Sequence, residues 1–165
     1  MDAQFVQPVG TYTAAANGPL GQTSWSGRRR YMYVQYMDAV TYTTGHVCTP
    51  ASATTYKVTN DVSGGSSLGL RFAGVVPNVN ENGAAITAVP TQNAYGYIQL
   101  EGIHSAVLND GNDGAAGDTC IMLATDGSTA FTAAATTTGT LLYVGWAPAA
   151  ITATTGLIYV KCFLW

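Results

Sequence analysis

From Arg30 to the C-terminus, β-branched and aromatic residues recur in short runs separated by Gly, Asn, Asp, Pro or Ala-Thr stretches. That pattern belongs to many short strands. The runs predict strands over Tyr31–Met37, His46–Cys48, Thr55–Thr59, Leu68–Val75, Tyr95–Glu101, Ile103–Leu108, Thr119–Ala124, Leu141–Ala147 and Gly156–Leu164. No segment reads as a helix. Ala133–Thr138 and Ala149–Thr155 carry the alanines of one, but their Thr and Gly density and the neighbouring Pro148 favour loops or frayed edges. Seven to ten strands predict an all-β fold, a single small β-barrel or β-sandwich. A chain of 165 residues has room for one such core.

Side chains alternate between the two faces of a strand, so the last run can be read face by face. Ile158, Val160, Cys162 and Leu164 form a compact aliphatic face suited to a barrel core. Leu157, Tyr159, Lys161, Phe163 and Trp165 form an aromatic face with one snorkelling lysine. Tyr159, Phe163 and Trp165 are therefore the candidate oligomer interface, since aromatic residues outside a core serve as interface anchors. The same two-sided pattern sets Tyr31, Tyr33 and Gln35 against Met32, Val34 and Tyr36, and Tyr95, Tyr97, Gln99 and Glu101 against Ile98 and Leu100.

Ahead of the barrel, assigned to residues 30–165, residues 1–29 are rich in Gly, Ala, Thr, Gln and Pro and lack any periodicity. They read as an extended N-terminal arm, disordered alone and ordering on a neighbour. Phe5, Val6, Tyr12, Leu20 and Trp25 are its candidate anchors, and Arg28, Arg29 and Arg30 form a basic cluster able to meet carboxylates of a partner.

Composition sharpens this picture. Only 9% of residues are charged while 47% are hydrophobic, too few charges to cover a monomer, so burial of surface by further copies or by a partner is expected. A net charge of −3 with six Lys and Arg in all argues against nucleic acid. The start has neither a basic nor an apolar leader region, and no run approaches the roughly 18 apolar residues of a membrane span, so synthesis in a cytoplasm and no membrane partner are expected. Cys48, Cys120 and Cys162 are far apart and read as buried free thiols.

Candidate chemistry is weak. Gly65-Ser66-Ser67-Leu68-Gly69 fits the nucleophile-elbow spacing, but strand residues follow it where a helix is required, so Ser67 reads as a hairpin-loop residue. Asp110, Asp113 and Asp118 gather like calcium ligands, yet Ala115 and Ile121 stand at the glycine and glutamate positions of that loop, and turn chemistry explains them better. His46 and His104 lack an acid or thiol at ligand spacing, and Glu101, three residues before His104 in a strand, falls on the opposite face. No enzyme activity, cofactor or metal is expected.

The order of features from Arg30 onward resembles the head decoration, or capsid cement, proteins of tailed bacteriophages. It runs through Tyr31-Met32-Tyr33-Val34, Thr44-Gly45-His46-Val47, Tyr56-Lys57-Val58-Thr59 and Gly69-Leu70-Arg71-Phe72-Ala73-Gly74-Val75-Val76. It continues with Tyr95-Gly96-Tyr97-Ile98-Gln99-Leu100-Glu101-Gly102, Ala115-Ala116-Gly117-Asp118-Thr119 and Val144-Gly145-Trp146-Ala147. The resemblance implies a β-tulip-like barrel that assembles as a homotrimer, with a dimer as the other possibility. It also implies attachment to the major capsid protein on the outer surface of the virion, with the arm crossing capsomer junctions. The alternative is a phage or bacterial surface module that binds a receptor or carbohydrate, with Trp25, Trp146 or Trp165 stacking on sugar rings.

Overall fold

The computed structural model describes residues 4–37, 41–51, 55–60, 72–108, 115–117, 119–122, 129–132, 143–151 and 155–162. The fold is all-β, and the described residues contain no helix. Among the described residues ten strands follow one another: β1 Thr23–Ser26, β2 Arg29–Tyr36, β3 Val47–Pro50, β4 Lys57–Thr59, β5 Gly74–Val75, β6 Tyr95–Leu108, β7 Thr119–Met122, β8 Thr129–Thr132, β9 Tyr143–Trp146 and β10 Thr155–Lys161. They hydrogen-bond in the order β1-β2-β4-β3-β5-β6-β10-β9-β7-β8, and a further pairing of β2 with β6 closes β2, β4, β3, β5 and β6 into a five-stranded barrel. Closure removes exposed strand edges from the core unit.

β6 is long enough, at 14 residues, to belong to two layers. Its first half pairs antiparallel with β2, Tyr33 facing Tyr97. Its second half leaves the barrel and pairs with β10, which carries β9, β7 and β8 as a flanking sheet. The sequence suggests two strands, Tyr95–Glu101 and Ile103–Leu108, where the structure has one. Gly102 explains the difference: its φ of +101° bends the strand without ending it, and a Cβ there would strike the Arg28 and Arg29 backbone.

The alternation read from the sequence sorts the core as expected. Met32, Val34 and Tyr36 of β2, Ile98 and Leu100 of β6, and Ile158, Val160 and Cys162 at β10 all enter one buried cluster. Burying each such aliphatic side chain contributes roughly 1.5–3 kcal/mol. Tyr36 is fully buried, and its hydroxyl donates to the Tyr97 carbonyl at 2.8 Å, satisfying the one polar atom it carries inward. Of the expected Leu68–Val75 strand, Gly74–Val75 is strand, Phe72 and Ala73 are buried beside it, and 61–71 lie outside the described residues. β1 and β8 were not foreseen; the first lies inside the segment assigned to the arm.

That segment is the main departure from expectation. Residues 4–22 lie on the outer face of the chain's own barrel, and β1 forms a hairpin with β2, Trp25 opposite Arg30. The cause is the second apolar face of β2 and β6. Tyr31, Tyr33 and Tyr97 point outward there and form a buried cluster with Val9, against which Phe5, Val6, Leu20 and Ile86 pack. Phe5 meets Tyr31 and Tyr97 edge to face, with ring centroids 5.8 and 5.2 Å apart. Two of the three hydroxyls are met as well: Tyr33 donates to Gln7 Oε1 at 3.0 Å and accepts from the Asn17 amide at 3.0 Å, and Tyr97 accepts from the Val6 amide at 2.8 Å. Tyr12 takes a separate place, its ring edge-on to Tyr36 over Gly96, where a Cβ would meet the ring at 2.5 Å.

In the flanking sheet, β9 approaches β10 so closely at Gly145 that an added Cβ would fall on the Tyr159 carbonyl. Both neighbours there are backbone and neither can swing aside. Gly145→Ala is therefore expected to cost at least about 2 kcal/mol, in the range of overpacked cores. Chemical denaturation measures it; an unchanged midpoint would show that the two strands can spread without loss.

Candidate interaction surface

Among the described residues, the side chains with candidate chemistry are not assembled into a reactive group. Glu101 accepts from Lys161 Nζ at 2.9 Å and lies 3.9 Å from Arg30 Nε. His104 is buried instead, its Nε2 donating to the Val76 carbonyl at 3.0 Å, and burial pushes its pKa down to about 4. The two residues thus face opposite ways, as strand parity requires. His46 Nδ1 accepts from the Thr43 amide at 3.2 Å and lies 3.0 Å from the Asn60 amide nitrogen. Cys48 and Cys162 are buried, the thiol of the second donating to the Phe72 carbonyl at 3.3 Å. Ser67, Asp110, Asp113 and Asp118 lie outside the described residues.

What the fold does assemble is an outward row of aromatic, aliphatic and charged side chains. Residues directly opposite in neighbouring strands share a face, and residues two apart on one strand lie roughly 7 Å apart on it. One rung joins Trp25 of β1, Arg30 of β2, Glu101 of β6 and Lys161 of β10 by direct pairing, the β2–β6 register shifting between Arg30 and Tyr31 so that Arg30 departs from the alternation of the rest of β2. The contacts follow the pairing: Arg30 Cζ sits 5.8 Å from the Trp25 ring centroid, and Glu101 takes a cation from either side. The next rung joins Ile103, Tyr159 and Trp146 across β6, β10 and β9. There Trp146 and Tyr159 stack, with centroids 4.4 Å apart and planes inclined by 17°.

Much of this row is open to solvent. Trp25 is 44% exposed, Ile103 41%, Leu157 39% and Trp146 36%. Large apolar side chains exposed together, rimmed by charge, mark interaction surfaces, and Trp, Tyr and Arg are the residue types that dominate their binding energy.

The residues singled out from sequence divide accordingly. Phe5, Val6, Tyr12 and Leu20 are engaged within the chain. Trp25 and Arg30 join the row, Arg28 is exposed beside it, and Arg29 Nε donates to the Ile103 carbonyl at 3.1 Å. Tyr159 stands at the centre of the second rung, whereas Phe163 and Trp165 lie outside the described residues. Ile103 and Glu101 were not foreseen as surface partners, whereas Leu157 was read on the outward face of the last strand and Trp146 as a candidate ring for stacking on sugars. The outward position of Leu157 and Lys161 was legible in the alternation of β10, but the meeting of residues 25, 30, 101 and 161 depends on strand order, which no local pattern encodes.

No protein-family model matches the chain, and no curated protein is significantly similar to it.

Proposed function

We propose that this protein is a non-enzymatic structural component of a phage virion that attaches to the outer surface of the capsid and holds neighbouring capsomers together. The observation that carries the reading is the exposed Trp25–Arg30 and Tyr159–Trp146 row on the rigid β1-β2-β6-β10-β9 face. A cement protein meets many copies of one partner in fixed geometry, so a preformed flat face costs little ordering entropy on docking. An oligomer engaging several sites at once turns modest single-site affinity into firm attachment. The low charge of the chain, 9% of residues, supports burial of surface in such an assembly.

Co-sedimentation with phage heads lacking the protein tests the reading. Saturable binding at a fixed ratio to the major capsid protein is expected, together with an oligomer, a trimer in the first instance, by sedimentation equilibrium. A monomer that stays in the supernatant would end it.

One observation favours a second reading. Trp25 is exposed beside an arginine, the pairing of a ring platform with a hydrogen-bond donor that sugar-binding sites use. On that reading the protein is a receptor- or carbohydrate-binding surface module. Retention of the intact protein by a neutral glycan array, lost in Trp25→Ala, would establish it in place of the first.

A further inference from the structure

Building on the capsid-attachment reading, we infer that the outward β1-β2-β6-β10-β9 face is the docking surface itself, and that its occupant is an acidic protein surface of the capsid, met by a cationic rim around an aromatic centre.

The inference begins with where the charges fall. The chain has a net charge of −3 and six Lys and Arg residues, yet four of these six, Arg28, Arg29, Arg30 and Lys161, gather around residues 101–103 of β6. The contacts place them there: Arg30 and Lys161 flank Glu101, Arg29 reaches the Ile103 carbonyl, and the Arg28 backbone lies against Gly102. Among the described residues, Glu101 is the carboxylate that pairs with them, while Glu81 is taken up by the Val9 amide at 2.8 Å. A cationic patch on an acidic protein selects a partner of negative potential and steers its approach.

The centre of the same face is apolar. Ile103 and Leu157 are exposed aliphatic side chains with no hydrogen-bonding capacity, and they stand beside Trp146 and Tyr159, whose stacking fixes both rings. Aliphatic anchors next to held aromatic rings, rimmed by arginine, have the composition of a protein–protein contact. A sugar platform would need polar groups where Ile103 and Leu157 stand. A second copy in a two-fold contact is disfavoured by charge, since the same patch would stand on both sides and bring eight cations together with one Glu101 from each copy. The tyrosines of β2 and β6 do not compete for this role, because residues 4–22 already cover them.

Three variants of the full chain test the assignment on phage heads lacking the protein, at about 50 and about 500 mM salt, where screening separates charge from apolar contact. Arg28→Glu combined with Lys161→Gln is expected to weaken attachment by roughly tenfold at low salt, with the difference shrinking at high salt. Trp146→Ala is expected to weaken it by roughly tenfold at both. Glu101→Gln, which removes the opposing carboxylate, is expected to tighten it. Thermal midpoints of all variants keep losses of folding apart from losses of docking. Variants that fold and attach as well as wild type would overturn the docking face while leaving capsid attachment standing. A wild-type protein that ignores heads would remove both. Binding of an acidic glycan, or self-association, that the same variants abolish would also overturn the assignment.

Discussion

Removing residues 1–20 is expected to unfold the protein or leave it without fixed tertiary packing. The truncation takes away Phe5, Val6, Val9 and Leu20, which pack with Tyr31, Tyr33 and Tyr97 on the outer face of the barrel. It also strips the hydrogen bonds that Val6, Gln7 and Asn17 make to two of the tyrosine hydroxyls. Losing the burial of several large side chains at roughly 1.5–3 kcal/mol each amounts to more than about 5 kcal/mol, against a total stability of roughly 5–15 kcal/mol for a domain of this size. Dye binding to exposed apolar surface and loss of the near-ultraviolet tyrosine signal would report it. Two point variants grade the effect. Phe5→Ala removes both edge-to-face contacts and is expected to cost about 3 kcal/mol. Gln7→Ala leaves the buried Tyr33 hydroxyl short of its acceptor and is expected to cost about 1–3 kcal/mol. A truncated protein that melts like the full chain would show that the segment is a detachable arm after all.

This outcome marks the boundary of what the sequence made legible. Strand content and the inward face of each strand were readable, because a period of two over Tyr31–Tyr36 and Gly156–Cys162 fixes which side chains share a side. The second apolar face of β2 was readable too, but not its cover. A row of outward tyrosines needs something over it, and periodicity does not distinguish a neighbour from residues 4–22 of the same chain. Those residues resemble an arm because their apolar positions follow neither period; they are spaced to fit the tyrosine hydroxyls and the space over Gly18, where a Cβ would meet Val6 at 2.5 Å. β1 escapes notice for a related reason. Thr23 and Trp25 favour strand, but they alternate with serines in a run of only four residues, and the segment is held extended by its ladder with β2.

The docking face shows the same division. Lys161 and Tyr159 are placed outward by alternation, but their partners Glu101, Ile103 and Trp146 come from strands distant in sequence. Only the passage of β6 from barrel to flanking sheet sets these residues side by side. Barrel closure therefore contributes to the surface as well as to the core. It holds β2 and β6 rigidly, and every charged side chain of the first rung is anchored to one of them directly or through Glu101.

The junction where β6 changes layers also carries a buried titratable group, and acid is expected to weaken the fold through it. His104 is fully buried, opposite Ile158 in the ladder and against the Val76 carbonyl, with a folded pKa near 4 against 6.5 in the unfolded chain. Burial is the main cause, the nearby Arg29 charge adds to it, and the hydrogen bond to the Val76 carbonyl works partly against it. A depressed histidine pKa means that, between those two values, the unfolded chain binds the proton and the folded one does not. The stability held by the neutral ring is thus complete above pH 6.5 and is lost progressively as pH falls to about 4, below which this group adds no further loss. Each pH unit crossed between the two values costs about 1.4 kcal/mol, so the loss over the whole window is about 3 kcal/mol. His104→Gln keeps a side-chain N–H able to reach the Val76 carbonyl and removes the titration. Its stability is expected to be lower than wild type at pH 7 and to fall less steeply between pH 6.5 and 4, so that the two denaturation-derived curves converge on acidification. Contributions common to both proteins cancel in the difference. Parallel curves across the window would show that His104 takes up its proton without opening the junction, and that the barrel and the flanking sheet are not coupled through it.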